Sequence, residues 1–297
     1  MQSLYDVAAP AKLNLFLHVT GRRSDGYHLL QSVFMLLDWC DTLHFDRRAD
    51  GRISREDLGL SLPPDDLTLR AARALQQVTG CALGAHIGIE KRLPSQAGMG
   101  GGSSDAASCL LALNRLWGLG LSTRELAQIG LQLGADVPFF IDGRNAWVEG
   151  IGDKIHPLEL PPARFVVIKP PAGLETGAIF ADPDLPRDTN TATIAGFAAD
   201  PYGFGRNDLQ GVALRKCPQI GQALDWLASQ GLDGRMTGSG SAVFARLLND
   251  SDRSAGSIEF RWERSQALPA NVPEAWQIRT CSNLSAHPLL GWAGSDD

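Results

Sequence analysis

From Val7 to Val19 apolar and polar residues alternate, with Leu13, Leu15, Leu17 and Val19 on one side and Lys12, Asn14, Phe16 and His18 on the other. A period of two predicts a strand, and it puts Lys12 and Asn14 on one face, roughly 6.5–7 Å apart and able to touch one ligand. A polar turn over 22–28 leads to the mostly apolar stretch 29–37, which predicts a second strand or buried segment. Residues 46–66 are polar and carry Pro and Gly, so they predict a loop or irregular hairpin. Helical spacing of apolar residues and alanines over 67–78, stopped by Gly80, predicts a helix, and 85–90 predicts a strand. A second helix is predicted over 104–117, where Ala107, Leu110, Leu111, Asn114 and Trp117 share a face. Ser122-Thr123-Arg124-Glu125 has the form of a capping box, and the helix it opens should end near Gly134, leaving Asp136 in the loop 134–138. Beyond Leu160-Pro161-Pro162 come a predicted strand at 165–168, a helix at 219–229 and a glycine-interrupted hairpin at 235–247. The expected division is therefore 1–160, 161–290 and a short tail 291–297, frayed from Gly294 onward.

Length agrees with that division, since 297 residues correspond to two domains or one large one. A hydrophobic share of 44% with 20% charged residues describes a globular chain rather than a disordered or fibrous one. The 27 Lys+Arg against 33 Asp+Glu leave a net charge of −6, which argues against a nucleic-acid surface but permits a local pocket for small anions. No run approaches the ~18 apolar residues of a membrane span, and the first residues lack a basic and apolar signal segment, so no membrane role and a cytoplasmic location are expected. Cys40, Cys81, Cys109, Cys217 and Cys281 are odd in number, widely spaced and free of any C-x-x-C pair, the pattern of reduced thiols rather than of a disulfide framework or zinc site.

The 32 glycines cluster. Segment 94–105 reads Pro-Ser-Gln-Ala-Gly-Met-Gly-Gly-Gly-Ser-Ser-Asp, between a predicted strand and a predicted helix. Glycine lets backbone N–H groups converge on an oxyanion, and a helix N-terminus adds free donors and a favourable dipole. The alternative is a flexible turn in which Ser103 or Ser104 caps the helix. The Walker pattern G-x-x-x-x-G-K-[ST] is missing, and the dinucleotide spacing G-x-G-x-x-G fails because Asp105 stands three residues after Gly102, which disfavours a dehydrogenase. A second cluster, Gly238-Ser239-Gly240, is either a hairpin bulge or a second backbone approaching the same ligand. Asp136, in an apolar stretch, is either a helix cap or a base beside a cleft. Lys12 either snorkels to solvent or pairs with a carboxylate or phosphate.

Pro10-Ala11-Lys12-Leu13-Asn14-Leu15, the loop Gly98-Met99-Gly100-Gly101-Gly102-Ser103-Ser104 and Thr237-Gly238-Ser239-Gly240-Ser241 resemble the three motifs of the GHMP kinases. Asp25-Gly26-Tyr27-His28, Leu133-Gly134-Ala135-Asp136-Val137-Pro138, Asn207-Asp208-Leu209 and Asn283-Leu284-Ser285 resemble the branch of that family acting on a diphosphocytidyl-linked methylerythritol. The resemblance runs from about 8 to 288. It implies an α+β, two-domain architecture with the active site in the interdomain cleft, and transfer of phosphate from ATP, with Mg²⁺, to the 2-hydroxyl of that small-molecule substrate in the non-mevalonate route to isoprenoid precursors. It further implies Asp136 as base with Lys12 as its partner, and Pro94, Ser95, Gln96, Ala97, Gly98, Met99, Gly100, Gly101, Gly102, Ser103 and Ser104 as the ATP phosphate loop, with Ser104 contributing to Mg²⁺. Tyr27 and His28 match the cytidine-binding pair, and Asn14, Thr176 and Phe180 match further substrate contacts. Ser95-Gln96-Ala97 stands where many members of the family are richer in glycine, and no function is drawn from 249–280. The remaining readings are another GHMP kinase substrate, such as mevalonate or homoserine, or an ATP-binding module without transfer, in a monomer or weak homodimer.

Overall fold

The computed structural model describes residues 1–247 and 272–294, so the expectations for 249–280 and for the end of the tail fall partly outside the described residues. The first half comprises β1 (Ser3–Arg22), β2 (His28–Arg48), β3 (Ile53–Asp57), α1 (Leu67–Thr79), β4 (Gly84–Glu90), α2 (Gly101–Trp117), α3 (Thr123–Leu133), α4 (Val137–Asp142), β5 (Ala146–Gly150) and β6 (Lys154–Pro157). The second comprises β7 (Arg164–Lys169), α5 (Thr176–Phe180), α6 (Ile194–Ala199), α7 (Gln210–Lys216), α8 (Pro218–Ser229), β8 (Gly234–Met236), β9 (Val243–Leu247) and β10 (Gln277–Ser282).

One six-stranded sheet carries the first half. The long β1 and β2 form an antiparallel pair, and β2 turns its other edge to β5 over 30–34 and to β4 over 42–48. Helices α1, α2 and α4 cover this sheet, closing a core of Leu36, Leu43, Phe45, Ile87 and Ile89 against Leu75, Leu110, Leu113 and Phe140. Helix α2 is buried on almost every side from Ser104 to Trp117. Its run Ala106-Ala107-Ser108-Cys109 is therefore small because neighbours press on every face, not because one face is solvated. Among the described residues the second half builds a four-stranded sheet ordered β10-β7-β9-β8, packed under α7 and α8 through Val166, Ile168, Val212, Ile220 and Leu227.

The free edge of β1 joins the two halves. Its groups are taken up in turn by bonds from Lys12 N–H to Met99 O (2.9 Å), Asn14 N–H to Thr237 Oγ1 (2.9 Å), Leu17 N–H to Arg206 O (2.9 Å), Val19 N–H to Asp208 Oδ2 (2.8 Å) and Thr189 N–H to Val19 O (3.1 Å). An edge strand is ordinarily an open row of donors and acceptors; here both glycine loops and the second half satisfy it.

Two expectations are corrected. Within 46–66, β2 continues to Arg48 and Ile53–Asp57 is a strand running parallel to β4. Its residues Ile-Ser-Arg-Glu-Asp lack a strand pattern because polar cross-links hold it, Arg55 pairing with Asp57 and Asp66 at 2.6 Å each and Ser54 meeting His86 at 2.9 Å. The fraying expected at Gly294 does not occur there: Gly294 N–H donates to Leu121 O at 3.0 Å, and the Trp292 ring lies under the Arg115 guanidinium at 4.7 Å. Ser295, Asp296 and Asp297 lie outside the described residues.

Candidate active site

Lys12 sits in the middle of β1 with almost no exposure, and its Nζ lies 3.6 Å from Asp136 Oδ2. The same ammonium donates to Asn14 Oδ1 and lies 4.5 Å from the Phe34 ring centroid. Burial pushes the Lys12 pKa down, and the Asp136 carboxylate opposes that fall. Lys12 therefore does not snorkel. Asp136 occupies the residue before α4 but accepts no capping hydrogen bond, and its side chain keeps 29% of its exposure. Of the two roles open to it, a cap is ruled out, and the carboxylate is left facing a cavity.

That cavity, about 390 Å³, is lined from both halves of the chain: Lys12, Asn14, Asp136, Gly98 and Gly100 on one side, Thr176, Phe180, Gly238 and Ser239 on the other. The two glycine clusters meet there. Gly98 has φ +72°, and a methyl group on it would overlap the Thr237 carbonyl oxygen. A methyl on Gly238, at φ +54°, would lie 2.8 Å from Gly98 O. Glycine at both positions is thus required by close approach of two backbones as well as by φ. Hydrogen bonds from Ser241 N–H to Gln96 O and from Ala242 N–H to Ala97 O, 3.2 Å each, fasten the loops together.

Gly100, at φ +72°, immediately precedes α2, so the helix starts at Gly101 and neither Ser103 nor Ser104 caps it. Of the expected phosphate-loop residues, Gln96, Gly98 and Gly100 line the cavity, while Ala97, Met99 and Ser104 are buried. Pro94, Gly101 and Ser103 are half-buried flanks, and Ser95 and Gly102 are exposed. Gln96 adopts φ +49°, the left-handed region glycine would occupy without strain. The turn into this loop is shaped by Asp41, whose Oδ1 accepts from Arg92 N–H (2.5 Å) and Leu93 N–H (2.7 Å). Lys91 joins that carboxylate to Asp105 Oδ2, at 2.5 Å, in the first turn of α2.

Beside the first cavity opens a second of about 570 Å³, lined by Arg22, Asp25, Tyr27 and His28 and sharing Leu30, Ala135, Ile151, Thr176 and Phe180 with it. Tyr27 is largely exposed, whereas His28 is buried and its ring lies 5.1 Å from that of Phe180. All five expected substrate contacts, Asn14, Tyr27, His28, Thr176 and Phe180, thus lie along one continuous groove. Asn14 is oriented by its neighbours, its Nδ2 donating to Ser32 Oγ at 2.9 Å. Thr176 Oγ1 meets Ser239 Oγ at 2.7 Å.

Several site residues have no local signature. Ser32 and Phe34 reach the site through strand register, Phe34 standing directly across from Asn14. Asp41, Leu174 and Arg187 come from segments whose own sequence carries no chemical pattern. Asn207 carried a motif resemblance but no evident task; its Nδ2 donates to Met236 O and Gly238 O, 2.8 Å each, holding the second glycine loop in place.

A buried lysine facing a partly exposed aspartate beside two interlocked glycine loops is an arrangement suited to phosphoryl transfer, and comparison with known proteins identifies a small-molecule kinase. Residues 66–144 match the family model "GHMP kinases N terminal domain" and residues 194–266 match "GHMP kinases C terminal". The chain belongs to the GHMP kinases. It is 64% identical over 296 residues to a 4-diphosphocytidyl-2-C-methyl-D-erythritol kinase of Albidiferax ferrireducens, covering 100% of this chain and 98% of the relative, and 65% identical over 297 residues to that of Delftia acidovorans, covering 98% of each. A crystal structure of 4-(cytidine 5'-diphospho)-2C-methyl-D-erythritol kinase superposes with a TM-score of 0.74 at 32% identity, over 93% of this chain and 98% of the other. Within the GHMP kinases, the chain belongs with these 4-diphosphocytidyl-2-C-methyl-D-erythritol kinases.

Proposed function

We propose that this enzyme, a small-molecule kinase, transfers the γ-phosphoryl group of ATP to the 2-hydroxyl of 4-diphosphocytidyl-2-C-methyl-D-erythritol, a step toward isoprenoid precursors. The observation that carries the reading is the Lys12–Asp136 pair, 3.6 Å apart, opening on a cavity walled by both glycine loops. Phosphoryl transfer is dominated by positioning and by neutralisation of charge. Asp136 accepts the hydroxyl proton as the alcohol oxygen forms its bond to phosphorus; the bond from phosphorus to the bridging oxygen breaks and ADP leaves with its electron pair. Lys12 holds the Asp136 carboxylate in place and offsets phosphate charge. Residues 94–104 cradle the phosphates with backbone N–H groups and the start of α2. Asn14, Thr176, Phe180, Tyr27 and His28 hold the acceptor, the aromatic rings against its base.

Ser104 fits a Mg²⁺ role: its Oγ is fully buried and has no hydrogen-bond partner among the described residues. No cluster of three His, Cys, Asp or Glu suited to a metal occurs among the described residues, so phosphate oxygens and water would complete the shell, as is usual for this ion. Bound there, Mg²⁺ would supply charge neutralisation to the phosphates. We place the domain division near residue 160, with 283–294 returning to the first half, and read the protein as a cytoplasmic monomer or weak homodimer; no helix among the described residues is long and apolar enough to cross a membrane.

The test is ADP release from ATP and Mg²⁺ with the cytidyl substrate. Turnover with mevalonate or homoserine and none with the cytidyl compound would remove the substrate assignment. Asp136→Ala should keep nucleotide affinity and cut turnover by ~10²-fold or more, the usual contribution of a positioned general base.

A further inference from the structure

Arg187 lies outside every motif considered so far, in the irregular segment between α5 and α6, and its guanidinium is engaged through all three nitrogens. Its Nη1 donates to Pro183 O (3.3 Å) and Leu185 O (3.0 Å), and its Nη2 to Phe180 O (3.2 Å) and Asp182 O (2.7 Å). The remaining donor, Nε–H, points at His28 Nε2 at 3.1 Å. A guanidinium has five N–H donors in a rigid plane and no acceptor, so four carbonyls fix that plane and the fifth donor admits only an acceptor in front of it.

The consequence falls on His28. A ring nitrogen that accepts from Arg187 carries no proton, and a neutral imidazole then carries its proton on Nδ1. Burial, reinforced by the Arg187 and Arg22 charges, holds the His28 pKa below the ordinary histidine value, which keeps the ring neutral. His28 borders the 570 Å³ cavity, and with Nε2 occupied, Nδ1–H is the imidazole donor left for a ligand. The same guanidinium grips the carbonyl of Phe180, whose ring lies against that of His28.

We propose that Arg187 is a positioning residue that locks His28 in the Nδ1–H tautomer and seats it against Phe180, so that this end of the groove selects a planar base presenting a hydrogen-bond acceptor edge. The proposal rests on the cytidyl-substrate reading for the identity of that base, but the tautomer stands on the geometry alone. Arg187 touches neither the glycine loops nor Asp136 in any hydrogen bond or ion pair of the described residues, so its effect belongs to acceptor affinity rather than to the transfer step.

Protein labelled with ¹⁵N at histidine reports the protonation of each ring nitrogen through long-range ¹H–¹⁵N correlation. In the wild type His28 should show a protonated Nδ1 and a bare Nε2. Arg187→Met should release the ring toward the Nε2–H form, raise the KM for the cytidyl substrate about three- to tenfold, as loss of one net hydrogen bond does, and leave kcat and the KM for ATP within about twofold. A wild-type spectrum with Nε2 protonated overturns the proposal, as does a folded Arg187→Met that keeps both tautomer and KM. Should the variant fail to fold, the wild-type spectrum still decides the tautomer. Absence of any turnover of the cytidyl substrate by the wild type would instead strike the functional reading, and with it the identity of the base, which separates the two failures.

Discussion

At the scale of the residue, Lys12 and Asp136 are an unequal pair: the cation is nearly inaccessible while the carboxylate keeps about a third of its surface. Removing either partner therefore has a different cost. Lys12→Met substitutes an apolar chain of similar length into a buried position and leaves Asp136 free to hydrate, so the fold should lose little. Turnover should nonetheless fall by ~10²-fold, because the charge beside the transferred group is gone. Asp136→Asn strands a desolvated ammonium, which should lower stability by about 1–3 kcal/mol in addition to removing the proposed proton acceptor. Denaturant midpoints and steady-state rates measured on both variants check this split. Equal destabilisation by the two substitutions would mean that Lys12 is not held by the geometry described here.

At the scale of the element, the 94–100 loop and the first turn of α2 that follows it are positioned from two sides. On one side Gly98 presses its backbone on Thr237 and Gly238. Gly98→Ala would need a methyl group where a carbonyl oxygen already stands, at a φ of +72° that alanine avoids, so stability should fall by about 2 kcal/mol or more and ATP affinity with it. Thermal unfolding and nucleotide titration of this variant measure both effects. On the other side Lys91 joins Asp41 in β2 to Asp105 in α2, buried on both sides. Lys91→Met takes the cation from the buried Asp41 carboxylate, while Asp105, which burial and Asp41 already push well above the usual carboxylate range, takes up a proton, and a loss of about 3–5 kcal/mol is expected by equilibrium unfolding near neutral pH.

These elements also divide what was legible in the sequence from what was not. The capping box at Ser122, the glycine stop at Gly80 and the helix over 104–117 follow from contacts within a few residues, and all are present in the structure. Lys12 and Asp136 were visible as chemically odd residues within apolar patterns, but their roles stayed open because each has its partner more than a hundred residues away. β3 was invisible because its polar residues are held by the Arg55 ion pairs to Asp57 and Asp66 and by the Ser54–His86 hydrogen bond rather than by an apolar face. Asp41, Ser32 and Arg187 act through strand register or through carbonyls of a folded turn, which no spacing along the chain encodes.

At the scale of the whole molecule, the chain closes on itself: after β10 has finished the second sheet, 283–294 returns to the first half. Leu284 N–H donates to Leu36 O (2.9 Å), Asn145 Nδ2 to Leu284 O (2.8 Å) and His287 N–H to Gly143 O (2.7 Å), while Leu289 enters the first core. His287 is the weak point of this return under acid. It is 2% exposed, its Nδ1 accepts from Leu289 N–H at 3.0 Å, and burial pushes its pKa down to about 4 from 6.5. The unfolded chain therefore binds a proton below pH 6.5 that the folded chain refuses until about pH 4. Stability is whole above pH 6.5 and declines as pH falls toward 4, by up to about 3 kcal/mol from this one ring. His18 and His28, also held below the usual histidine value, act in the same direction, so the contribution of His287 is read as a difference between proteins. His287→Asn keeps an acceptor for Leu289 N–H but cannot titrate. Urea midpoints followed from pH 7 to pH 4 should fall less steeply in that variant than in the wild type, and parallel curves would show that the anchored C-terminal segment is not what acid loosens first.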